Sequence, residues 1–212
     1  VEKKAIDAVV EDLRKAGARS ALVAGSHLPA AVLAAVIAVN QFLNGGAGEA
    51  VKFIVDPQPV PADHGKDIEN LVAAMNANQV SVLLVLGGNP VYDLPPAVNF
   101  VEALGKVTMK AHLSSHKCES SKYMDYVLPE THFLEAWGDG VAMDGTVTIT
   151  QPIIEPIYEG RSALHVLDKL IGDTAIPLEI VKKTAELSGG GNWNEILARG
   201  FYGAPAQAAT VS

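Results

Sequence analysis

Leu83-Leu84-Val85-Leu86-Gly87-Gly88-Asn89-Pro90 is the stretch on which the fold turns. An apolar run of this length, cut off by turn residues, reads as a central strand buried on both faces, as in a parallel sheet. Gly87 and Gly88 allow a close approach of backbone to backbone or ligand. Asn89 precedes a proline, which drives its backbone out of the α region. A strand, a tight glycine loop and a polar amide are how an open α/β sheet builds a crevice at the carboxyl ends of its strands.

Working outward, helical spacing over 2–16 (Ile6, Val9, Val10, Leu13) predicts a helix ended by Gly17. Ser20 to Ala24 reads as a strand, Gly25-Ser26-His27 as a turn, and 30–43 as a helix apolar nearly all round and so well buried. Val51 to Val55 reads as a second strand, followed by an extended connector with Pro57, Pro59 and Pro61. Asp67 to Asn78 reads as a helix, 81–86 as the opening strand, Pro95 to Leu104 as a helix, Lys106 to Leu113 as a strand, Glu119 to Met124 as a short helix and Asp125 to Leu128 as a strand. The order predicts an α/β fold: a Rossmann-like, mostly parallel sheet with helices on both faces, plus a C-terminal extension. Residues 130–145 read as irregular. Gly145 to Gln151 alternates as a half-exposed strand, antiparallel or at an edge. Helices follow at 162–171, 178–187 and 194–198. The expected division is a Rossmann-like domain over 1–172 and a helical and irregular extension over 173–212.

Of the 212 residues 49% are hydrophobic and 19% charged, enough for a sizeable core. The net charge of −8 argues against nucleic acid as a partner, because phosphate binding needs a basic face. A single cysteine, Cys118, excludes an internal disulfide and any cysteine-rich iron–sulfur or zinc motif within the chain. The longest apolar stretch, Leu28 to Val39, is too short to span a bilayer, so no direct membrane insertion is expected. The chain begins with Val1 rather than methionine, which is expected of a piece of something longer.

Two loops are candidate ligand sites. Gly25, Ser26 and His27 stand between a strand and a helix, where backbone N–H groups bind phosphate, or they form a plain turn. Gly88, Asn89 and Pro90 are the sharper candidates. The Asn89 amide suits a base or pterin edge, or it hydrogen-bonds its own loop. His112, His116, Cys118 and Glu119 match no standard zinc spacing and read as polar loop residues, with Glu119 complementing a helix dipole. His132, Glu135 and Asp139 could do acid–base work, but with Trp137 beside them and no nucleophile elbow they read as a structural network. Neither a complete dinucleotide fingerprint nor a P-loop is present, and no catalytic residue is assigned.

Leu86-Gly87-Gly88-Asn89-Pro90, then Glu119 to Pro129, then Gln151-Pro152 resemble the molybdopterin oxidoreductase superfamily in content and order. Leu134-Glu135-Ala136-Trp137-Gly138-Asp139, Asp144 to Val147 and Gln151 to Tyr158 look like one branch, the large iron–sulfur subunit of bacterial alternative complex III. The resemblance implies a central fragment of an oxidoreductase subunit in a respiratory electron-transfer complex, with the isolated fragment inactive. Its iron–sulfur clusters would lie in absent parts of the parent chain. Its partners would be the remaining parent domains and other subunits of a membrane complex, on the periplasmic side of the cell envelope. A molybdopterin guanine dinucleotide would contact Gly88, Asn89 and Pro90, and secondarily Gly25, Ser26 and His27. Two departures speak against that cofactor: Ser114 stands where relatives often carry an acid, and Gly145 to Thr150 replaces an Asn-x-Glu-x-Arg run. The implied role is then mainly scaffold. The alternative is a Rossmann-like module that binds a nucleotide at Gly87–Pro90.

Overall fold

The computed structural model describes residues 2–44, 50–55, 63–173 and 175–203. These fall into two compact units, one from the residues up to 55 and one from residue 63 onward.

The first unit holds α1 (Lys3–Ala16) and α2 (Ala30–Asn44). Gly17 ends α1 at φ 53°, donating its N–H to Leu13. The strand expected over Ser20 to Ala24 does not form: the segment is extended but finds no ladder partner among the described residues. Its polar backbone is met by a side chain instead. Leu22 N–H donates to Asn40 Oδ1 and Asn40 Nδ2 donates to Leu22 C=O, both at 2.8 Å. Asn40 is the buried residue of α2, whereas Val32, Ile37, Val39 and Phe42 are exposed. The expectation of a well-buried α2 is therefore corrected. Hydrophobic content around the whole helix says that it can be buried, not that neighbours within this chain cover it. The strand expected over Val51 to Val55 reduces to a bridge at Ile54, and the proline connector lies outside the described residues.

The second unit starts with α3 (His64–Asn76), three residues earlier than expected, because the Asp63 carboxylate caps it by accepting from Lys66 N–H. Asn78, at φ 56°, closes its far end. Strands β1 (Val82–Leu86), β2 (Met109–Ser114) and β3 (Tyr126–Pro129) form a parallel sheet in that spatial order, with Val85 opposite His112 and His112 opposite Val127. The α/β class with its parallel, helix-flanked sheet is thus observed. The central place belongs to β2, however, and β1 lies at an edge of these three strands with Val82 and Leu86 exposed. Apolar continuity alone does not distinguish a central strand from an edge strand whose partner or cover lies elsewhere.

Between β1 and β2 an additional short helix, α4 (Pro90–Asp93), precedes the helix expected over Pro95 to Leu104, which is broken into a 3₁₀ turn at Pro96–Val98 and α5 (Phe100–Leu104). The double proline at 95–96 and the left-handed Asn99 (φ 53°) enforce the breaks. Val72 and Met75 of α3 pack on Phe100, Ala103, Leu104 and Val107, with Leu83 of β1 against them. Met75, Ala103 and Leu104 are almost fully buried, so this cluster is the main core of the unit.

Residues 130–145, expected to be irregular, contain β4 (Gly138–Val141), which forms a hairpin with β5 (Val147–Thr150). Gly145 (φ 83°) and the Asp144 carboxylate, accepting from Thr146 N–H, make its turn. After α6 (Ala163–Leu170), α7 (Pro177–Leu187) and α8 (Trp193–Arg199), the two-residue β6 (Phe201–Tyr202) pairs with β5. The antiparallel character of β5 is as expected, but it is the middle strand of three. Ala185, Ile196 and Tyr202 form a small second core with Val147, Ile149 and Trp193. A parallel bridge between Glu130 and Arg161 joins the end of β3 to the chain before α6. Gly160 makes that approach feasible, since a Cβ there would lie 3.1 Å from Thr131 N and 3.2 Å from Pro129 O.

Candidate crevice at the strand ends

Parallel strands carry their loops at one end, so the segments after β1, β2 and β3 converge. Gly87 and Gly88 both adopt left-handed backbone (φ 66° and 67°), which turns the chain sharply away from β1. Gly87 N–H donates to Leu113 C=O at 2.8 Å and extends the ladder by one bond. A Cβ on Gly88 would meet nothing within 4 Å, so its outer side is open. Beneath the loop, fully buried His112 approaches Gly88 C=O through Nε2 at 3.2 Å, and its Nδ1 has no hydrogen-bond partner among the described residues.

Asn89 is committed to the protein at every polar atom. Its Oδ1 accepts from Ser120 N–H (3.1 Å) and from the Ser120 hydroxyl (2.7 Å), while its Nδ2 donates to Glu119 Oε2 (2.7 Å). Its own N–H donates to Asp93 Oδ2, and its C=O accepts from Tyr92 and Asp93. The buried Ser120 also accepts from Val91 N–H, so one serine ties the post-β1 loop to the post-β2 loop. The Asn89 side chain thus bonds neither its own loop nor a ligand here but the loop after β2. Its partners carried no separate signal in the sequence, because they lie thirty positions away. Glu119 is also reassigned: its carboxylate takes the Asn89 amide, and that bond foremost holds its pKa below the ordinary glutamate range. Pro90 opens α4 at its first position, where its missing N–H costs nothing.

Next to this link lies an open pocket of about 710 Å³ lined by Lys117, Cys118, Glu119, Ser121, Lys122 and Val127. Partial burial alone would raise the Cys118 pKa, but hydrogen bonds from the Ser121 hydroxyl and from the Ser121 and Ser120 backbone outweigh it and leave the thiol below its usual value. Ser114 Oγ donates to His116 C=O, closing a local turn at the end of β2. Among the described residues no three His, Cys, Asp or Glu side chains converge as a metal site would need.

Gly25, Ser26 and His27 belong to the first unit. Leu28 N–H donates to Gly25 C=O, a tight turn ahead of α2, and the His27 ring folds over Gly25, where a Cβ would lie 2.5 Å from Cε1. Glu135 links two segments: Oε2 accepts from His132 N–H (2.8 Å) and Oε1 from Ile157 N–H (3.0 Å), tying the post-β3 loop to the 152–160 connector. These two bonds keep its pKa low. Half-buried Trp137 stacks at 6.2 Å against Trp193.

The fold and crevice together define an open α/β domain with loops gathered at the strand ends. The family model for molybdopterin oxidoreductase matches residues 4–173, and the chain belongs to that family. It is 29% identical over 125 residues to the molybdopterin-containing subunit of the arsenate respiratory reductase of Shewanella sp. strain ANA-3, covering 56% of this chain and 13% of that subunit. It is 26% identical over 199 residues to the menaquinone reductase molybdopterin-binding-like subunit of Nitratidesulfovibrio vulgaris strain Hildenborough, covering 85% of this chain and 29% of that one. The chain thus spans under a third of the length of either relative, and both are named as subunits of reductases. No helix among the described residues is long and apolar enough to cross a membrane.

Proposed function

We propose that this chain is the scaffold portion of a molybdopterin-oxidoreductase-like subunit in a respiratory electron-transfer complex of the alternative complex III kind. It would hold the remaining domains of its parent and neighbouring subunits in place at the cell envelope. The single observation behind the scaffold role is the engagement of the Asn89 carboxamide by Ser120 and Glu119. A carboxamide that reads a guanine or pterin edge must offer its donor and acceptor to the ligand. Here Ser120 fills the acceptor oxygen twice over and Glu119 takes one of the two amide N–H groups. The Glu119 carboxylate beside the loop, with Glu130 Oε2 close to Gly87, is also a poor setting for a diphosphate. The residues present therefore do not fit a pterin guanine dinucleotide held through Asn89, and no chemical step is assigned to one.

Metal and pterin analysis of the full-length parent, expressed anaerobically, tests the reading. Molybdenum, tungsten and pterin well below one per chain are expected. Near-stoichiometric metal and pterin would overturn it.

One observation favours the alternative of a nucleotide-binding module: Gly88 is open on its outer side, and among the described residues its N–H donates to no backbone acceptor. Calorimetric titration of the chain with guanosine diphosphate distinguishes the two. Tight binding that Gly88→Val abolishes supports the module, and the absence of heat rejects it.

A further inference from the structure

The connector after β5 holds apolar side chains out in solvent. Ile153, Ile154, Ile157 and Tyr158 are between 46% and 80% exposed, and Phe133, in the turn alongside, is 63% exposed. Slack chain does not explain this. Ile153 N–H and Ile154 N–H both donate to Leu134 C=O (2.9 and 3.2 Å), and Ile157 N–H donates to Glu135 Oε1 (3.0 Å). These bonds seat the connector along the Phe133–Glu135 turn. Pro152 and Pro156 stiffen it, and left-handed Glu159 (φ 55°) with buried Gly160 fixes its far end. None of the five apolar residues belongs to either core of the unit. Held in fixed places, they amount to a few hundred Å², the scale at which an exposed patch marks an interaction site. The charge around them is acidic. Glu155 and Glu159 are exposed on the same connector, and neither enters an ion pair among the described residues. Arg161 turns its Nη1 onto the C=O groups of Glu159 and Gly160 instead of a carboxylate. A second copy of the chain is therefore the wrong occupant, because a two-fold axis through the patch would set these carboxylates against their own images.

We propose that this patch docks a segment of a partner polypeptide whose apolar residues are flanked by lysine or arginine. The partner's apolar side chains would cover Ile153, Ile157 and Phe133, and its basic groups would meet Glu155 and Glu159. Apolar burial would supply most of the affinity, and the two carboxylates the choice of partner. Because the connector is already tied down, little ordering cost opposes docking. The inference deepens the scaffold reading by naming one surface that a neighbour would grip. The two fail separately, since stoichiometric metal and pterin in the parent would sink that reading and leave this surface untouched.

The test titrates the 212-residue chain with the capped peptides Ac-Lys-Leu-Phe-Leu-Lys-NH₂, Ac-Gln-Leu-Phe-Leu-Gln-NH₂ and Ac-Glu-Leu-Phe-Leu-Glu-NH₂, followed by NMR of the isoleucine methyl groups. The lysine peptide should bind about fivefold more tightly than the glutamine peptide, as two exposed ion pairs allow, and the glutamate peptide more weakly than either. The preference should shrink in about 1 M sodium chloride. The methyl shifts should centre on Ile153, Ile154 and Ile157. Joint Ile153→Ser and Ile157→Ser substitution should weaken the lysine peptide about tenfold through lost apolar burial. Joint Glu155→Gln and Glu159→Gln substitution should erase the preference and keep the apolar binding. All four side chains are exposed, so both double variants should fold. Equal affinity for the three peptides would overturn the proposal, as would shifts confined to methyl groups outside the connector. So would a dimer in analytical ultracentrifugation that the double serine variant dissolves, which would make a second copy the occupant. Binding to phosphatidylcholine vesicles that the same variant loses would overturn it too, in favour of a lipid surface.

Discussion

Asn89→Ala tests the link between the two crevice loops. The substitution removes three side-chain hydrogen bonds, to Ser120 N–H, Ser120 Oγ and Glu119 Oε2. They are not equivalent. Ser120 is fully buried, so its N–H is left without an acceptor and without water. That costs about 1–3 kcal/mol, and the lost hydroxyl bond adds about 1 kcal/mol. Glu119 is exposed, so water replaces the amide there. The sum is about 2–4 kcal/mol, a drop in midpoint of roughly 4–16 °C for a cooperative unit of this size. Urea and thermal unfolding followed by circular dichroism measure it. A loss under about 0.5 kcal/mol, within the range of ordinary surface changes, would refute the loop-locking account. A pH signature accompanies the loss. The Asn89 amide is the leading cause of the lowered Glu119 pKa. A carboxyl whose folded pKa is depressed contributes stability above its unfolded pKa and loses it as pH falls through the folded one. The gap between the native and Asn89→Ala stability curves should therefore narrow on the acid side, and the Glu119 pKa should rise in the variant.

Asn40→Ala should cost about 1–3 kcal/mol and speed hydrogen exchange at the Leu22 amide, since both Leu22 backbone groups lose their partner. Gly190→Ala should destabilise by about 1–3 kcal/mol in thermal unfolding, because its Cβ would come within 2.9 Å of Ala185 O and Ile196 Cδ1. Gly88→Ala meets only the left-handed backbone penalty, about 1–2 kcal/mol, with no clash. Glu135→Gln keeps one acceptor and loses the other, so either His132 N–H or Ile157 N–H should exchange faster. The difference from the native chain should be largest at neutral pH and fade as pH falls through the lowered pKa of Glu135.

The parallel sheet was legible because β1, β2 and β3 each pair an apolar run with a turn signal at its carboxyl end. Element breaks at Gly17 and Gly145 were legible for the same reason: glycine there serves a backbone that other residues resist. What escaped was set by partners distant in sequence. Asp63 caps α3 ahead of its periodic region, and nothing before it suggests a helix. The β4 segment, Gly-Asp-Gly-Val, has almost no strand propensity and is a strand only because β5 pairs with it. At the strand-end loop, the sequence left Asn89 either to a ligand or to its own loop. Only the fold shows that Ser120 and Glu119 reach it from the next loop.

The bridge from Glu130 to Arg161 bears on the order in which the second unit assembles. Joining two points about thirty residues apart costs roughly 3 kcal/mol of chain entropy, and a bridge of so few bonds returns little more than that. The β4–β5 hairpin lies inside this stretch and closes on itself through the Asp144-Gly145 turn. Once folded, it shortens the free chain that the bridge must gather. Kinetically, the hairpin would come first and the seal over the β3 edge afterwards. Slowing the turn should thus delay a contact more than ten residues away in both directions along the chain.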